Sequence, residues 1–180
     1  MIKDDYAIIL VDYQIAYTYN NNLKKNFPFL ESNFRRFIYL MRYSIEPEHI
    51  IHIRTNYNSV FANNFRRYNN NKPIPADVDA VDWAYAMTGE KIIVKTSFDG
   101  FLNTDLHKYL LYYNIKRVII CGVLTSVCVL FTAQTAFALG YDVYLYEPCC
   151  ADRSKQTHDD IIRIYNQYLF KKINNLNNFI

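Results

Sequence analysis

The chain has 180 residues, a formal net charge of +3 and an apolar content of 51%. This length suits one domain spanning residues 1–180, with enough apolar side chains to bury a substantial core. The basic residues are scattered and do not form the basic and aromatic surface that a nucleic-acid binder needs. We therefore expect no nucleic-acid partner.

The first apolar run and the cysteines indicate the compartment. Asp4 and Asp5 precede the run, which ends at Asp12 rather than at the small-residue cleavage site of a signal peptide. No stretch approaches the ~20 apolar residues of a membrane helix. The four cysteines include the adjacent Cys149 and Cys150 and do not resemble a secreted disulfide framework. The sequence predicts a soluble cytoplasmic protein without a membrane partner.

Apolar runs in the first half of the chain predict two strands and a helix. Residues 6–11 are continuously apolar, as expected of a strand that is covered on both faces. Residues 29–44 have apolar side chains at helical intervals, and residues 49–53 form a second strand. Residues 54–90 are mostly polar and without clear period. A loop of that length is usually functional or carries small elements of its own.

The second half of the chain alternates strands and helices more regularly. We expect strands at residues 91–94, 117–121 and 142–146, and helices at residues 104–113, 126–139 and 155–170. The tail, residues 174–180, either frays or adds an edge strand. The alternation predicts an α/β fold, a three-layer αβα sandwich with a mostly parallel, five- or six-stranded Rossmann-like sheet.

Three chemically reactive side chains follow predicted strands. Asp12 ends the first strand, Lys95 ends the third, and Cys128 lies shortly after the fourth. Each has a simpler explanation, as a turn cap, a solvated strand end and a buried thiol respectively. Parallel sheets bind ligands at the carboxyl ends of their strands, and all three residues fall at that edge. Together they favour chemistry.

The three residue types form a coherent set for nucleophilic catalysis. Cys128 lies near the start of the helix predicted from residue 126, where free N–H groups and the helix dipole favour a thiolate. Asp12 can accept the thiol proton, and Lys95 can orient the carboxylate and hold the thiolate. The turn Val123-Leu124-Thr125 is placed to offer backbone donors to an oxyanion.

Several segments resemble a known family. They read IILVDYQ at residues 8–14, VKTSFDGF at 94–101, CGVLTSVCV at 121–129, and TAQTA, GYDV and CADRS further on. In this order and spacing the chain resembles the isochorismatase-like cysteine hydrolases, from about residue 6 to about residue 170. That superfamily includes nicotinamidases, N-carbamoylsarcosine amidohydrolases and ureidoacrylate hydrolases.

The resemblance implies a role for each matching residue. Asp12 would be the base, Lys95 the bridging cation and Cys128 the nucleophile. The peptide bond before Leu124 would be cis, directing the N–H groups of Leu124 and Cys128 at the oxyanion. The expected reaction is cleavage of an amide, carbamoyl or ureido C–N bond of a small molecule through a thioester. Alternatives are an isochorismatase-type vinyl-ether hydrolase and a non-catalytic binding or scaffold protein.

Four further residues are candidates for the substrate pocket. Tyr17 matches a position where the family often has an aromatic lining residue, and Val123 lies at the turn before the nucleophile. Trp83 falls in the variable loop, where packing is an equally good explanation. Arg54 can pair with a substrate carboxylate, although a solvated surface position explains it better.

The expected metal ligands of nicotinamidases are missing. Arg54 replaces a carboxylate and Asn56 stands where a histidine would. His49 and His52 are three apart on a predicted strand and so point to opposite faces. His107 and His158 lie in predicted helices without ligand partners nearby. We therefore expect no metal and no cofactor. The resemblance also implies a homo-oligomer, a dimer or tetramer, and the aromatic-rich segment 29–43 is a weak hint of an interface.

Overall fold

The computed structural model describes residues 5–57, 67 and 79–176. In this part of the chain six strands form one sheet in the order β3-β2-β1-β4-β5-β6, and every neighbouring pair is parallel. The strands are β1 (Tyr6–Val11), β2 (Ile50–Thr55), β3 (Lys91–Lys95), β4 (Arg117–Val123), β5 (Asp142–Ala151) and β6 (Lys171–Ile173). The expected parallel α/β sheet is confirmed, with six strands.

Helices flank the sheet. They are α1 (Ile15–Thr18), α2 (Asn21–Asn26), α3 (Leu30–Ser44), α4 (Leu106–Tyr112), α5 (Leu130–Ala138) and α6 (Lys155–Tyr165), and a π-helical turn, Thr125–Val129, runs into α5. Short 3₁₀ turns span Pro47–His49 and Asp82–Ala84. None of the helices in the described ranges is both long enough and apolar enough to cross a membrane.

The longest helix, α3, buries one face against the sheet. Phe34, Phe37 and Met41 are buried, and the Phe37 ring stacks on Tyr146 of β5 with 4.5 Å between ring centroids. The predicted apolar stripe of residues 29–44 therefore covers the sheet as expected. Tyr39 on the same helix remains exposed. Whether the chain forms a homo-oligomer stays a prediction.

A close approach of the two central strands positions the functional edge. Gly122 of β4 lies opposite Val11 of β1, with a φ of +146°. A Cβ added at Gly122 would lie 2.1 Å from the Val11 carbonyl oxygen, so no other residue fits there without a shift of the backbone. This contact brings the residues that follow β1 and β4 together.

Two predicted boundaries were wrong near the chain's end. Helix α6 ends at Tyr165 rather than at residue 170, because Gln167 adopts a positive φ of 77° that a helix does not tolerate. An edge strand, β6, forms just before the tail, at Lys171–Ile173. For the tail itself the sequence left fraying and an added edge strand both open; residues 174–176 are not in a strand, and residues 177–180 lie outside the described part. Strand β5 also runs past its predicted end to Ala151.

The predicted loop of residues 54–90 is described only at its two ends. Strand β2 extends to Thr55, and the 3₁₀ turn Asp82–Ala84 lies before β3. Residues 58–66 and 68–78 fall outside the described ranges. The prediction missed α1 and α2 because helices of four and six residues are too short to show a period.

Candidate active site

The structure brings Asp12, Lys95 and Cys128 together at the carboxyl edge of the sheet. The Lys95 ammonium nitrogen lies 2.9 Å from Asp12 Oδ2, and the two side chains are 0% and 1% exposed. The Cys128 thiol interacts electrostatically with both groups and is 8% exposed. An acid, an amine and a thiol from three separate chain segments thus share one buried pocket.

Asp12 is fixed by an unusual backbone conformation and by a neighbouring hydroxyl. Its φ is +53°, which is uncommon for a residue other than glycine, and its N–H donates to the Ile53 carbonyl at 3.0 Å. The Thr55 hydroxyl donates to Asp12 Oδ1 at 2.8 Å. Sequence reasoning missed Thr55, although a polar side chain at the end of a buried strand was the available signal.

Gln14 ties Thr55 to the end of β1. Its Oε1 accepts from the Thr55 N–H at 2.6 Å, and its Nε2 donates to the Thr55 carbonyl at 3.0 Å. Both polar ends of this buried amide are therefore satisfied, as burial requires. The strand ends that carry Asp12 and Thr55 are held in one register.

Lys95 is a fully buried cation. Besides the Asp12 carboxylate, it donates to the Ser97 carbonyl at 2.9 Å. Burial alone would lower the pKa of the ammonium, but Asp12 and then Cys128 outweigh burial and raise the pKa. Lys95 is therefore charged at neutral pH.

The surroundings of Cys128 oppose the thiolate that its place near a helix start favours. Burial raises the pKa of the Cys128 thiol, the Asp12 carboxylate raises it further, and Lys95 only partly opposes them. Cys128 also lies late in the π-helical turn, just before α5 begins at Leu130, rather than at a helix start. The resting sulfur keeps its proton, with a carboxylate beside it.

The turn that leads to Cys128 has an irregular backbone. The Val123–Leu124 peptide bond is cis, as the resemblance implies, and Val123 is a buried residue at the end of β4. The Leu124 carbonyl accepts two N–H groups, from Val127 at 3.1 Å and from Val129 at 3.2 Å. The second of these bonds is the i+5 bond of a π-helical turn.

The N–H groups around this turn differ in their hydrogen-bond partners. The Ser126 N–H donates to the Asp152 carboxylate at 2.7 Å. Within the described ranges, no residue outside the turn accepts a hydrogen bond from the N–H groups of Leu124, Thr125 or Cys128. Such donors beside a nucleophile suit an oxyanion.

Comparison with known proteins places the chain in a family. A model of the Isochorismatase domain matches residues 6–173. The chain belongs to the isochorismatase family. The resemblance noted in the sequence is thereby confirmed, and members of this family are hydrolases.

Individual relatives match only part of the chain. The uncharacterized isochorismatase family protein YddQ of Bacillus subtilis (strain 168) is 33% identical over 73 residues, which is 41% of this chain and 41% of YddQ. The ureidoacrylate amidohydrolase RutB of Serratia proteamaculans (strain 568) is 35% identical over 65 residues, 36% of this chain and 26% of RutB. These alignments span less than half of either relative's length.

A crystal structure extends the similarity to the whole fold. An isochorismatase-like hydrolase from Alkaliphilus metalliredigens matches with a TM-score of 0.77 and 20% identity, covering 94% of each chain. At this level of identity the match shows a common fold. It agrees with the parallel sheet described above.

Tyr57 is a residue near the reactive group that sequence reasoning did not select. Its phenol interacts electrostatically with Cys128, Tyr17 and Asp12. Burial, followed by these neighbours, raises the pKa of Tyr57, so the hydroxyl stays neutral. Tyr17 is half-buried and packs against the core. The available signal in the sequence was an aromatic residue two positions beyond β2.

Arg54 does not join this group. It precedes Thr55 on β2, and successive side chains of a strand point to opposite faces of the sheet. Since Thr55 faces Asp12, the Arg54 side chain lies on the other face. There it is near His52, away from the reactive thiol.

Trp83 lies in an aromatic cluster. Its ring packs edge-on to Tyr13 and Phe34, with centroid distances of 5.4 and 5.1 Å. It also borders a cavity of about 330 Å³ whose lining includes none of Asp12, Lys95 and Cys128. These contacts favour the packing explanation, and a role for Trp83 in the substrate pocket stays a prediction.

Three of the histidines have separate partners. His52 Nε2 lies 2.8 Å from Glu90 Oε2, whereas His49 ends a 3₁₀ turn and contacts the Tyr113 ring edge-on at 5.6 Å. His107 Nδ1 lies 2.9 Å from the Tyr141 hydroxyl. None of these contacts brings two histidines together as a metal site would need.

The expectation that His158 lacks ligand partners was wrong. Glu147 and Asp159 each offer an oxygen, and the three ligand atoms lie within 4.8 Å of one another. Both carboxylates already have a lysine partner: Glu147 Oε2 lies 2.9 Å from Lys172 Nζ, and Asp159 pairs with Lys155. An ion-pair network therefore explains this cluster, and metal independence stays a prediction.

Proposed function

We propose that this chain is a metal-independent hydrolase that cleaves a C–N bond of a small molecule, with Asp12, Lys95 and Cys128 as its catalytic group. The observation that supports the proposal is the ion pair of 2.9 Å between two fully buried side chains, both of which interact electrostatically with the Cys128 thiol. Burying two charges costs more than apolar packing would at the same place. Such a pair beside a nucleophile has a use in catalysis and little use in stabilising the fold.

In the proposed first half-reaction, Cys128 Sγ attacks the carbonyl carbon while Asp12 accepts the thiol proton. The Lys95 ammonium stabilises the sulfur as it loses that proton. The carbonyl oxygen becomes an oxyanion that the N–H groups of Leu124 and Cys128 hold. Collapse breaks the C–N bond, and the leaving nitrogen takes the proton from Asp12.

In the second half-reaction, water hydrolyses the thioester. Asp12, again a carboxylate, accepts a proton from the water as its oxygen attacks the thioester carbon. Collapse breaks the C–S bond and the proton returns to sulfur. The products are an amine or ammonia and a carboxylic acid, and the resting thiol is restored.

Support for C–N cleavage comes from the thiol in the proposed catalytic group and from a relative. A thiol nucleophile suits acyl transfer, because it forms a thioester that water can cleave. RutB, which is 35% identical over 65 residues, is named a ureidoacrylate amidohydrolase. Hydrolysis of a vinyl ether does not require a thiol, and a passive binding pocket requires neither the thiol nor the buried ion pair.

The test is an assay of amides, carbamoyl compounds and ureides beside isochorismate, with the wild type and a Cys128→Ala variant. Cys150→Ala is the matched control, because it removes a buried thiol elsewhere on the sheet. We expect C–N cleavage by the wild type and the control, none by Cys128→Ala, and an acyl adduct on Cys128 by intact mass. Full amidase activity of Cys128→Ala would exclude the thioester.

The same panel separates the other functions. Turnover of isochorismate alone, retained by Cys128→Ala, would identify an ether hydrolase. No turnover of any compound, together with no reaction of Cys128 towards thiol probes near neutral pH, would indicate a binding protein.

A further inference from the structure

Two buried side chains bind the segment that contains Leu124 and Cys128. They are Asp152, just after β5, and His158 on α6, which are 3% and 2% exposed. Neither contacts Asp12, Lys95 or Cys128 directly in the hydrogen bonds described. Their partners are instead Thr125 and Ser126, the two residues that follow Leu124 in the chain.

Asp152 binds the backbone at the start of the turn. Its Oδ2 accepts from the Ser126 N–H at 2.7 Å, and its Oδ1 accepts from the Arg153 N–H at 2.7 Å. By engaging Ser126, it occupies an N–H group that lies between the donors of Leu124 and Cys128. A carboxylate here opposes negative charge on a nearby oxyanion. Its benefit to a reaction must therefore come from geometry.

His158 fixes the next side chain along the turn. The Thr125 hydroxyl donates to the Ala151 carbonyl at 3.1 Å and lies 2.8 Å from His158 Nδ1. A hydroxyl has one hydrogen, so the Thr125 oxygen can accept from His158 Nδ1 while it donates to Ala151. The other ring nitrogen, Nε2, faces Glu147 Oε1 at 3.7 Å. Thr125 is thus held between β5 and α6.

We propose that Asp152 and His158 are positioning residues for the oxyanion site. They act through Ser126 and Thr125, and fix the directions in which the N–H groups of Leu124 and Cys128 point. The inference rests on the proposed C–N hydrolysis, since only a reaction with an oxyanion depends on those directions.

The experiment compares two reactions of the same thiol. Amide hydrolysis builds negative charge on oxygen, whereas alkylation by iodoacetamide displaces iodide at a saturated carbon and needs no oxyanion donors. Variants are Asp152→Ala, Asp152→Asn and His158→Gln. The matched control is Asp160→Asn, which changes an exposed carboxylate on α6 that pairs with Arg163.

We expect kcat for amide hydrolysis to fall about 10- to 100-fold in Asp152→Ala, somewhat less than the loss of a whole oxyanion donor. The alkylation rate of Cys128 should stay within about 2-fold, because the Asp12–Lys95 pair is untouched. Asp152→Asn keeps one acceptor for Ser126 and should recover part of kcat. His158→Gln should lower kcat less, since it acts through a hydroxyl, and Asp160→Asn should match the wild type.

Each outcome decides the inference. If kcat and alkylation fall together, Asp152 only supports the fold and the inference is wrong. Wild-type kcat in Asp152→Ala also overturns it, while leaving the proposed function intact. A wild type that alkylates normally but hydrolyses no amide or ureide overturns the proposed function, and this inference with it. Should Asp152→Ala not fold, His158→Gln carries the same comparison.

Discussion

Replacing Lys95 by methionine tests whether the buried ion pair of Asp12 and Lys95 serves catalysis and does not stabilise the fold. Methionine is similar in length but leaves the Asp12 carboxylate without its cation, 1% exposed and with Thr55 as its remaining hydrogen-bond donor in the described ranges. Removing one partner of a buried pair costs about 3–5 kcal/mol, because an uncompensated charge stays inside. We expect Lys95→Met to lose that amount of unfolding free energy and all activity.

The double variant Asp12→Asn/Lys95→Met removes both charges. Replacing a whole buried pair by neutral groups is often neutral or stabilising. The amide that Asp12→Asn introduces can still accept from Thr55, whose hydroxyl lies 2.8 Å from the Asp12 oxygen. We therefore expect the double variant to regain most of the lost stability while staying inactive.

Urea denaturation of the wild type, both single variants and the double variant measures this cycle. With a slope of about 2–3 kcal/mol per molar urea, Lys95→Met should lower the midpoint by about 1–2 M. A coupling free energy near zero, with the two single losses simply adding, would refute the reasoning. So would a loss below about 1 kcal/mol in Lys95→Met, the size expected of a solvated pair.

Three further predictions concern acid stability, strand approach and thiol ionisation. Burial alone would raise the pKa of Glu90, but Arg42 and His52 lower it to about 2. The ionised Glu90 therefore stabilises the fold fully above pH 4.5, its ordinary pKa, and this stabilisation is lost as the pH falls from 4.5 towards 2. Glu90→Gln should remove this pH dependence, about 1 kcal/mol after solvent screening, from the unfolding free energies measured by urea denaturation at about pH 5 and about pH 3. An unchanged pH dependence would contradict the prediction. Gly122→Ala should lower the free energy of unfolding by about 3 kcal/mol or more, measured by thermal unfolding, because the added Cβ clashes with the Val11 carbonyl. A variant as stable as the wild type would show that β1 and β4 can move apart at little cost. Since burial raises the pKa of Cys128, its alkylation by iodoacetamide should quicken up to about pH 9, and a plateau below about pH 7 would instead reveal a resting thiolate.

The sequence predicted those parts of the fold that depend on local pattern. Strands β1 and β4 are continuous apolar runs because both faces of a central parallel strand are covered. Asp12, Lys95 and Cys128 were found because the carboxyl ends of parallel strands share one edge of a sheet. That rule needs only the order of elements.

Features that depend on tertiary contact were not predictable in the same way. Tyr57 and Asp152 come from segments far apart in the chain, and each meets the turn of Cys128 only after the sheet has formed. The helix-start argument for a thiolate at Cys128 did not include burial and the adjacent carboxylate, both of which raise the pKa of the thiol. Lys171–Ile173, the edge strand β6, is too short and too polar to show a strand pattern.

The distribution of charge in the resting site indicates where a reaction would gain stabilisation. The charges of Asp12 and Lys95 offset each other, and Cys128 keeps its proton, so these three side chains carry no net negative charge at rest. The N–H groups of Leu124 and Cys128, by contrast, have no acceptor among the described residues outside their own turn. An oxyanion that forms only during the reaction would supply that acceptor, and interactions made only in the transition state are those that raise kcat. A ground-state ligand with a neutral carbonyl would benefit less from the same donors, which is why hydrolysis explains this arrangement better than binding does.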